Sequence, residues 1–238
     1  MTVIASPTIP VGYRLPSKKW TAAFRLDWNE HWQRNMHRDY AKEYGYKGGL
    51  VEGDIVFEHV IEMLLQFFGE PWYGEGEIEV KVLPIYEGDV LTTVAVVRDK
   101  VEEKDGVRFA LDVRMEKPDG QLGIVGTASC LAPWPGAPVR RDVNVKLSHE
   151  GVWAREDPKY GPGPLPEDYT PITYDAVVVN EMMGPIEYII KEDSHHKHTD
   201  FQQIYHRWFT TESPWGGRLL YPFETWCQAR VHSRWKYG

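Results

Sequence analysis

"DIVFEHVIEMLLQFF", residues 54–68, carries apolar side chains at positions 56, 60, 61, 64, 67 and 68. That spacing follows the helical period and predicts a core helix of about four turns. Gly69 and Pro71 stop it, and Asp54 suits the positive end of its dipole. Four strand-like segments follow. "EIEVKVL" (77–83) and "VRFALDVRM" (107–115) alternate apolar and polar residues, while "VLTTVAVVRDKV" (90–101) and "QLGIVGTASCLA" (121–132) are rich in β-branched and small residues. "KDG" (104–106) and "PDG" (118–120) signal hairpin turns. These segments predict a long buried helix followed by an antiparallel meander that wraps it.

Beyond the meander, "PWPGAP" (133–138) and "YGPGPLP" (160–166) hold too many prolines for regular structure, so residues 133–175 read as a linker or extended arm. Residues 176–238 offer a short strand, "IEYII" (186–190), and a polar helix around "HTDFQQIYHRWF" (198–209). The chain then ends in the helix-like "PFETWCQARVHSRW" (222–235). Ahead of the core helix stands "HRDYAKEYGYKGGLVEG" (37–53). Its features recur from His206 in "HRWFTTESPWGGRLLYP", where His-Arg, an aromatic residue, a double glycine and a helix follow in the same order. The chain therefore reads as residues 1–132, a linker, and an incomplete second copy that lacks the meander.

With 238 residues, 42% hydrophobic content and a net charge of −8, the chain has the composition of a globular protein, and no basic run suits a phosphate backbone. No signal peptide and no apolar run long enough to span a bilayer is present, which predicts a soluble, cytoplasmic protein with no nucleic-acid or membrane partner. Cys130 and Cys227 make neither a disulfide framework nor a metal motif. "SHHKH" (194–198) reads as a solvated segment, because adjacent histidines on one helix do not face one ion and no cysteine lies nearby, so no metal site is expected.

"RNMHRDYAKEYGYKGGLVEG" (34–53) and "VLPIYEGDVLTT" (82–93) resemble motifs of the MaoC-type hotdog family, the (R)-specific enoyl-CoA hydratases and related acyl dehydratases, and the similarity covers about residues 12–132. The resemblance implies an α+β hotdog fold with a partial second hotdog-like repeat, an acyl thioester substrate such as an acyl-CoA, and no cofactor. It puts His37 in the place of the family's catalytic histidine and Gly53 in that of the glycine whose N–H polarises the thioester carbonyl. The family's aspartate falls on Trp32, its Asn-Pro on Arg34-Asn35, and the histidine before the helix glycine on Glu52. Trp32 and Asn35 would then line the substrate site.

Hydration of an enoyl thioester needs a base for water, a proton for the α-carbon and a donor for the enolate oxygen. A tryptophan cannot take a proton, so the standard dyad is broken in the first copy. Glu52 is a candidate replacement, with a carboxylate placed only for the helix N-terminus as the alternative. In the second copy Asp200 precedes His206 by nearly the family spacing, which makes that pair a second candidate dyad. The alternative has Asp200 capping or solvating a helix and His206 packed among Tyr205, Trp208 and Phe209.

Three functions follow as expectations. The first is an acyl thioester hydratase or dehydratase using His37 and a carboxylate with the Gly53 donor. The second is a hotdog thioesterase with a base such as Glu58 on the central helix. The third is a non-catalytic subunit of a hetero-oligomer, which the missing aspartate favours. The unwrapped C-terminal helix, with Leu219, Leu220, Phe223, Trp226, Cys227 and Val231, needs cover from the first unit or a second chain, so a homodimer or a pairing with another hotdog chain is expected.

Overall fold

The computed structural model describes residues 5–23, 38–139, 153–155, 186–188, 203–215 and 219. In chain order the elements are β1 (Lys18–Thr21), α1 (Arg38–Glu43), α2 (Gly53–Phe68), α3 (Pro71–Glu75), β2 (Glu77–Val82), β3 (Val90–Glu103), β4 (Gly106–Glu116), β5 (Leu122–Pro133), β6 (Trp153–Arg155), β7 (Ile186–Tyr188) and α4 (Arg207–Thr210). The predicted core helix is α2. It stops where expected, at Gly69, whose N–H closes on the Leu65 carbonyl at 2.8 Å, and Pro71 opens α3.

Five strands form one antiparallel sheet in the order β1-β3-β4-β5-β2. The "KDG" turn joins β3 to β4 with Glu103 opposite Gly106, and the "PDG" turn closes through the Lys117 N–H on the Gln121 carbonyl at 2.8 Å. Alternate residues of β4, namely Val107, Phe109, Leu111, Val113 and Met115, are buried. Phe109 meets Phe67 and Phe68 of α2 edge-on, with ring centroids 6.3 and 6.0 Å apart. Such edge contacts add to the area buried. Ahead of β1, the amides of Gly12 and Leu15 donate to Val97 and Ala95 of β3, so the N-terminal arm prolongs the sheet edge.

The described C-terminal segment packs into the same core. Ile204, Trp208 and Phe209 join the core cluster of the first unit, and Tyr73 of α3 meets Trp215 edge-on at 5.4 Å. Two α2 carboxylates, on Glu58 and Glu62, are 1% and 3% exposed. Glu62 accepts from Lys18 Nζ of β1 at 2.7 Å and from the Tyr205 N–H at 2.9 Å, and the Lys18 ammonium also donates to the Gln203 carbonyl. One ion pair thus ties β1, α2 and the C-terminal segment together.

Two expectations change here. The helix expected over 198–209 is confined, among described residues, to Arg207–Thr210. Gln203 lies at φ 57° and His206 is extended, and both conformations break the helical path. Within the Pro/Gly-rich stretch, Trp153–Arg155 is a strand that pairs in parallel with Ile186–Tyr188, part of the expected 186–190 strand. Leu219 packs against the first unit's core, whereas Leu220, Phe223, Trp226, Cys227 and Val231 lie outside the described residues. Among the described residues no helix is long and apolar enough to cross a membrane.

The β5–β2 pairing is set by Gly126. A Cβ there would fall 2.1 Å from the Glu79 carbonyl oxygen, which as backbone has little room to move away. Gly126→Ala is expected to cost about 1–3 kcal/mol, as overpacking does, and to raise amide exchange along β2 ahead of the other strands. Urea unfolding and hydrogen exchange measure both.

Candidate functional site

The residues ahead of α2 are laid against the β2–β3 connection. Leu50 bridges Tyr86 in antiparallel fashion, the Val51 N–H donates to Ile85 O at 2.9 Å, and the Glu87 N–H donates to Gly49 O at 3.2 Å. The double glycine and the "PIYEGD" stretch, far apart in sequence, are therefore partners. This pairing delivers Gly53 to the first turn of α2, where a Cβ would lie 3.3 Å from Val82 of β2.

The first turn of a helix has amides with no carbonyl behind them. Glu52 occupies the N-cap position with no side-chain cap bond, and the ladder begins with the Val56 N–H on Glu52 O at 3.4 Å. The amides of residues 53–55 precede it and point along the positive end of the dipole, which suits a developing negative charge. Glu52 has one carboxylate oxygen, Oε2, shielded from solvent. His37, Trp32 and Asn35 lie outside the described residues, as does Asp200.

His206 is placed in detail. It is 3% exposed, its Nδ1 accepts the Trp208 N–H at 3.3 Å as the N-cap of α4, and its ring meets Trp208 and Phe209 edge-on at 5.1 and 5.9 Å. This is the packed arrangement, save that Tyr205 is 60% exposed and stands outside it. Burial, with Arg207 adding, lowers the His206 pKa to about 4. Within this chain His206 is not beside Gly53. Its neighbour Tyr205 is bonded to Glu62, nine residues along α2, or about 14 Å at the helical rise.

Three polar groups on α2 are buried, and two of them, His59 and Glu62, went unrecognised in the sequence. Glu62 is the ion-pair partner of Lys18. Glu58, the base of the thioesterase reading, helps to raise the pKa of the Tyr73 hydroxyl, second to burial itself. His59 is 1% exposed and stacks on Trp20 at 3.7 Å and 19°, with neither ring nitrogen hydrogen-bonded. Burial first and the Lys18 charge second lower its pKa to about 2. The signal available was the placing of polar residues at 58, 59 and 62 inside an otherwise apolar helix.

Among the described residues no three histidine, cysteine or carboxylate side chains gather as a metal site, and "SHHKH" lies outside them. A polar hollow of about 330 Å³ lined by Gly74, Glu75, Gly76, Glu77 and Arg108 sits past the C-terminal end of α2, away from Gly53. Arg108 is engaged there by Glu103 at 2.6 Å and Glu75 at 3.5 Å.

No family model and no curated protein matches the sequence. Solved structures do. A putative MaoC domain protein dehydratase from Chloroflexus aurantiacus aligns with a TM-score of 0.57 at 16% identity, over 94% of this chain and 71% of that one. The fold is a hotdog fold. An (R)-hydratase from A. caviae involved in PHA biosynthesis aligns over 54% of this chain and all of its own (18% identity, TM-score 0.39). The ChsH1-ChsH2 complex from Mycobacterium tuberculosis aligns over 52% of this chain and 98% of that one (20% identity, TM-score 0.42). At these identities the likeness gives the backbone and not the chemistry. The hotdog helix here is α2, and its N-terminus is the Gly53 turn.

The buried histidines set a pH dependence. The unfolded chain protonates each below about pH 6.5, while the folded chain keeps His206 neutral to about 4 and His59 to about 2. Their contribution is complete above the unfolded value and is lost as pH falls. For His59 the expected slope is roughly 1.4 kcal/mol per pH unit below pH 6. Urea unfolding at pH 7 and pH 5 should show a smaller difference for His59→Leu than for the wild type.

Proposed function

We propose that the protein is a hydratase or dehydratase acting on an acyl thioester, with coenzyme A as the carrier. The observation that most supports this is the Gly53 turn. On a hotdog fold, a helix N-terminus with a glycine at its first position lies beside Val82, and the loop ahead of it pairs with the 84–89 turn. A thioester carbonyl placed there receives the Gly53 N–H, which stabilises the enolate as hydroxide equivalent adds to the β-carbon and a proton reaches the α-carbon. His37 and Glu52 are the proposed proton-handling groups, with Trp32 and Asn35 lining the acyl site. The stated cap and packing role of His206 favours the first copy over the Asp200–His206 pair as the active one.

The chain's second half is proposed as a partial hotdog-like unit. The MaoC-domain alignment supports this, since 94% of the chain extends well past residue 139. A second functional reading, a non-catalytic subunit paired with an active hotdog chain, is favoured by Trp32 standing where the family has its aspartate. Copurification with a second hotdog chain, together with an inactive isolated protein, distinguishes it.

Gly53 gives a sharp test. Proline is accepted at the first helical position but has no N–H, whereas alanine keeps the N–H and brings the same Cβ against Val82. Gly53→Pro is expected to lower kcat for crotonyl-CoA hydration about 100- to 1,000-fold, as loss of an oxyanion donor does, and Gly53→Ala by less than about tenfold. His37→Ala abolishes hydration, while His206→Ala lowers the melting temperature and leaves turnover. Release of free thiol without hydration supports the thioesterase reading instead.

A further inference from the structure

The loop that presents Gly53 leans on the turn between β2 and β3, which sends a single side chain, Ile85, into the core. Its two ends are held by a lysine from a different hairpin. Lys117 follows β4, with its backbone held in the 117–121 turn, and its side chain is only 8% exposed. Its ammonium sits 2.6 Å from Asp89 Oδ2, donates to the Pro84 carbonyl at 3.1 Å, and lies 5.4 Å above the Tyr86 ring. The same Asp89 oxygen accepts the Tyr86 N–H at 2.8 Å, and the Asp89 N–H donates to Tyr86 O at 3.0 Å across Gly88, whose φ of 85° suits glycine. Both ends of the turn, Pro84 and Asp89, are thus gripped by one cation. Between them lie Ile85 and Glu87, whose backbones bond Val51 and Gly49.

We propose that Lys117 and Asp89 are positioning residues for the Gly53 donor, acting through the 84–89 turn on the 49–52 loop and touching no substrate themselves. An ion pair with one partner largely shielded is far less weakened by water than a surface pair. A flexible turn pinned at both ends transmits the hairpin's rigidity to the loop that it pairs with. A displacement of about 1 Å at a catalytic donor costs about a hundredfold in rate, so the demand on this turn is strict.

The kinetic arm rests on the thioester reading above; the exchange arm does not. Lys117→Met removes the cation, Lys117→Arg keeps it, and Asp89→Asn keeps the shape while removing the charge. Hydrogen exchange is measured at the Val51 and Glu87 amides, with β4 and β5 as internal references. The expected result for Lys117→Met and Asp89→Asn is faster exchange at those two amides with the β4 and β5 amides unchanged. With crotonyl-CoA, kcat falls about ten- to a hundredfold and KM stays within about twofold, and Lys117→Arg restores most of the rate. Should Lys117→Met fail to fold, Asp89→Asn alone decides. Unchanged exchange at Val51 and Glu87 in a folded variant overturns the proposal, as does faster exchange spread evenly over β4 and β5. A wild-type protein inactive on thioesters defeats the functional reading and leaves the exchange result to judge the positioning role.

Discussion

Helix α2 cannot stand with any side in water. Of its sixteen residues, Ile55, Val56, Val60, Ile61, Met63, Leu64, Leu65, Phe67 and Phe68 are each no more than 4% exposed, and so are Glu58, His59 and Glu62. A helix apolar on one stripe needs one covering layer; a helix buried nearly all round needs two. The sheet supplies the first, with β4 contributing Phe109 and its alternate neighbours. The segment around Ile204, Trp208 and Phe209 supplies the second. The described C-terminal residues Ile204, Trp208 and Phe209 are therefore part of the core that α2 shares with the sheet.

Complete burial creates an electrostatic problem as well as a packing one. A carboxylate withdrawn from water needs a charge and hydrogen bonds in its place. Glu62 has the Lys18 ammonium and the Tyr205 amide, which come from opposite ends of the chain and close the two covering layers on each other. His59 takes the other course and stays neutral, stacked on Trp20. Glu62 and His59 are thus engaged in packing and pairing along this helix. The proposed chemistry lies instead at the helix end, where the loop through Glu52 and Gly53 meets the β2–β3 turn.

That division explains why the site is modular. The proposed donor amide, that of Gly53, belongs to α2, but the loop ahead of it is placed by a backbone pairing between 49–51 and 85–87, and the turn holding the latter is bound by Lys117 from the next hairpin. Three pieces of chain, distant in sequence, converge on one glycine. The same geometry keeps His206 apart: it follows a segment bonded midway along α2, caps α4 and packs on Trp208.

Local periodicity determined a great deal. Helical spacing over 54–68, alternation in 77–83 and 107–115, and the "KDG" and "PDG" turns are short-range signals, so the wrapped helix and its antiparallel meander were legible from residues alone, while the Gly-Gly and "PIYEGD" stretches drew attention to the N-terminal end of that helix only through their resemblance to family motifs. What periodicity does not encode is which distant residues meet. Lys18 and Glu62 stand 44 residues apart, Lys18 and Gln203 185 apart, and Lys117 reaches 33 residues back to Pro84. Such pairs exist only once the sheet order β1-β3-β4-β5-β2 has set them side by side. His206 shows the limit most plainly: its sequence setting left a dyad with Asp200 and a packed side chain both open, and its burial against Trp208 and Phe209 is a property of the tertiary structure.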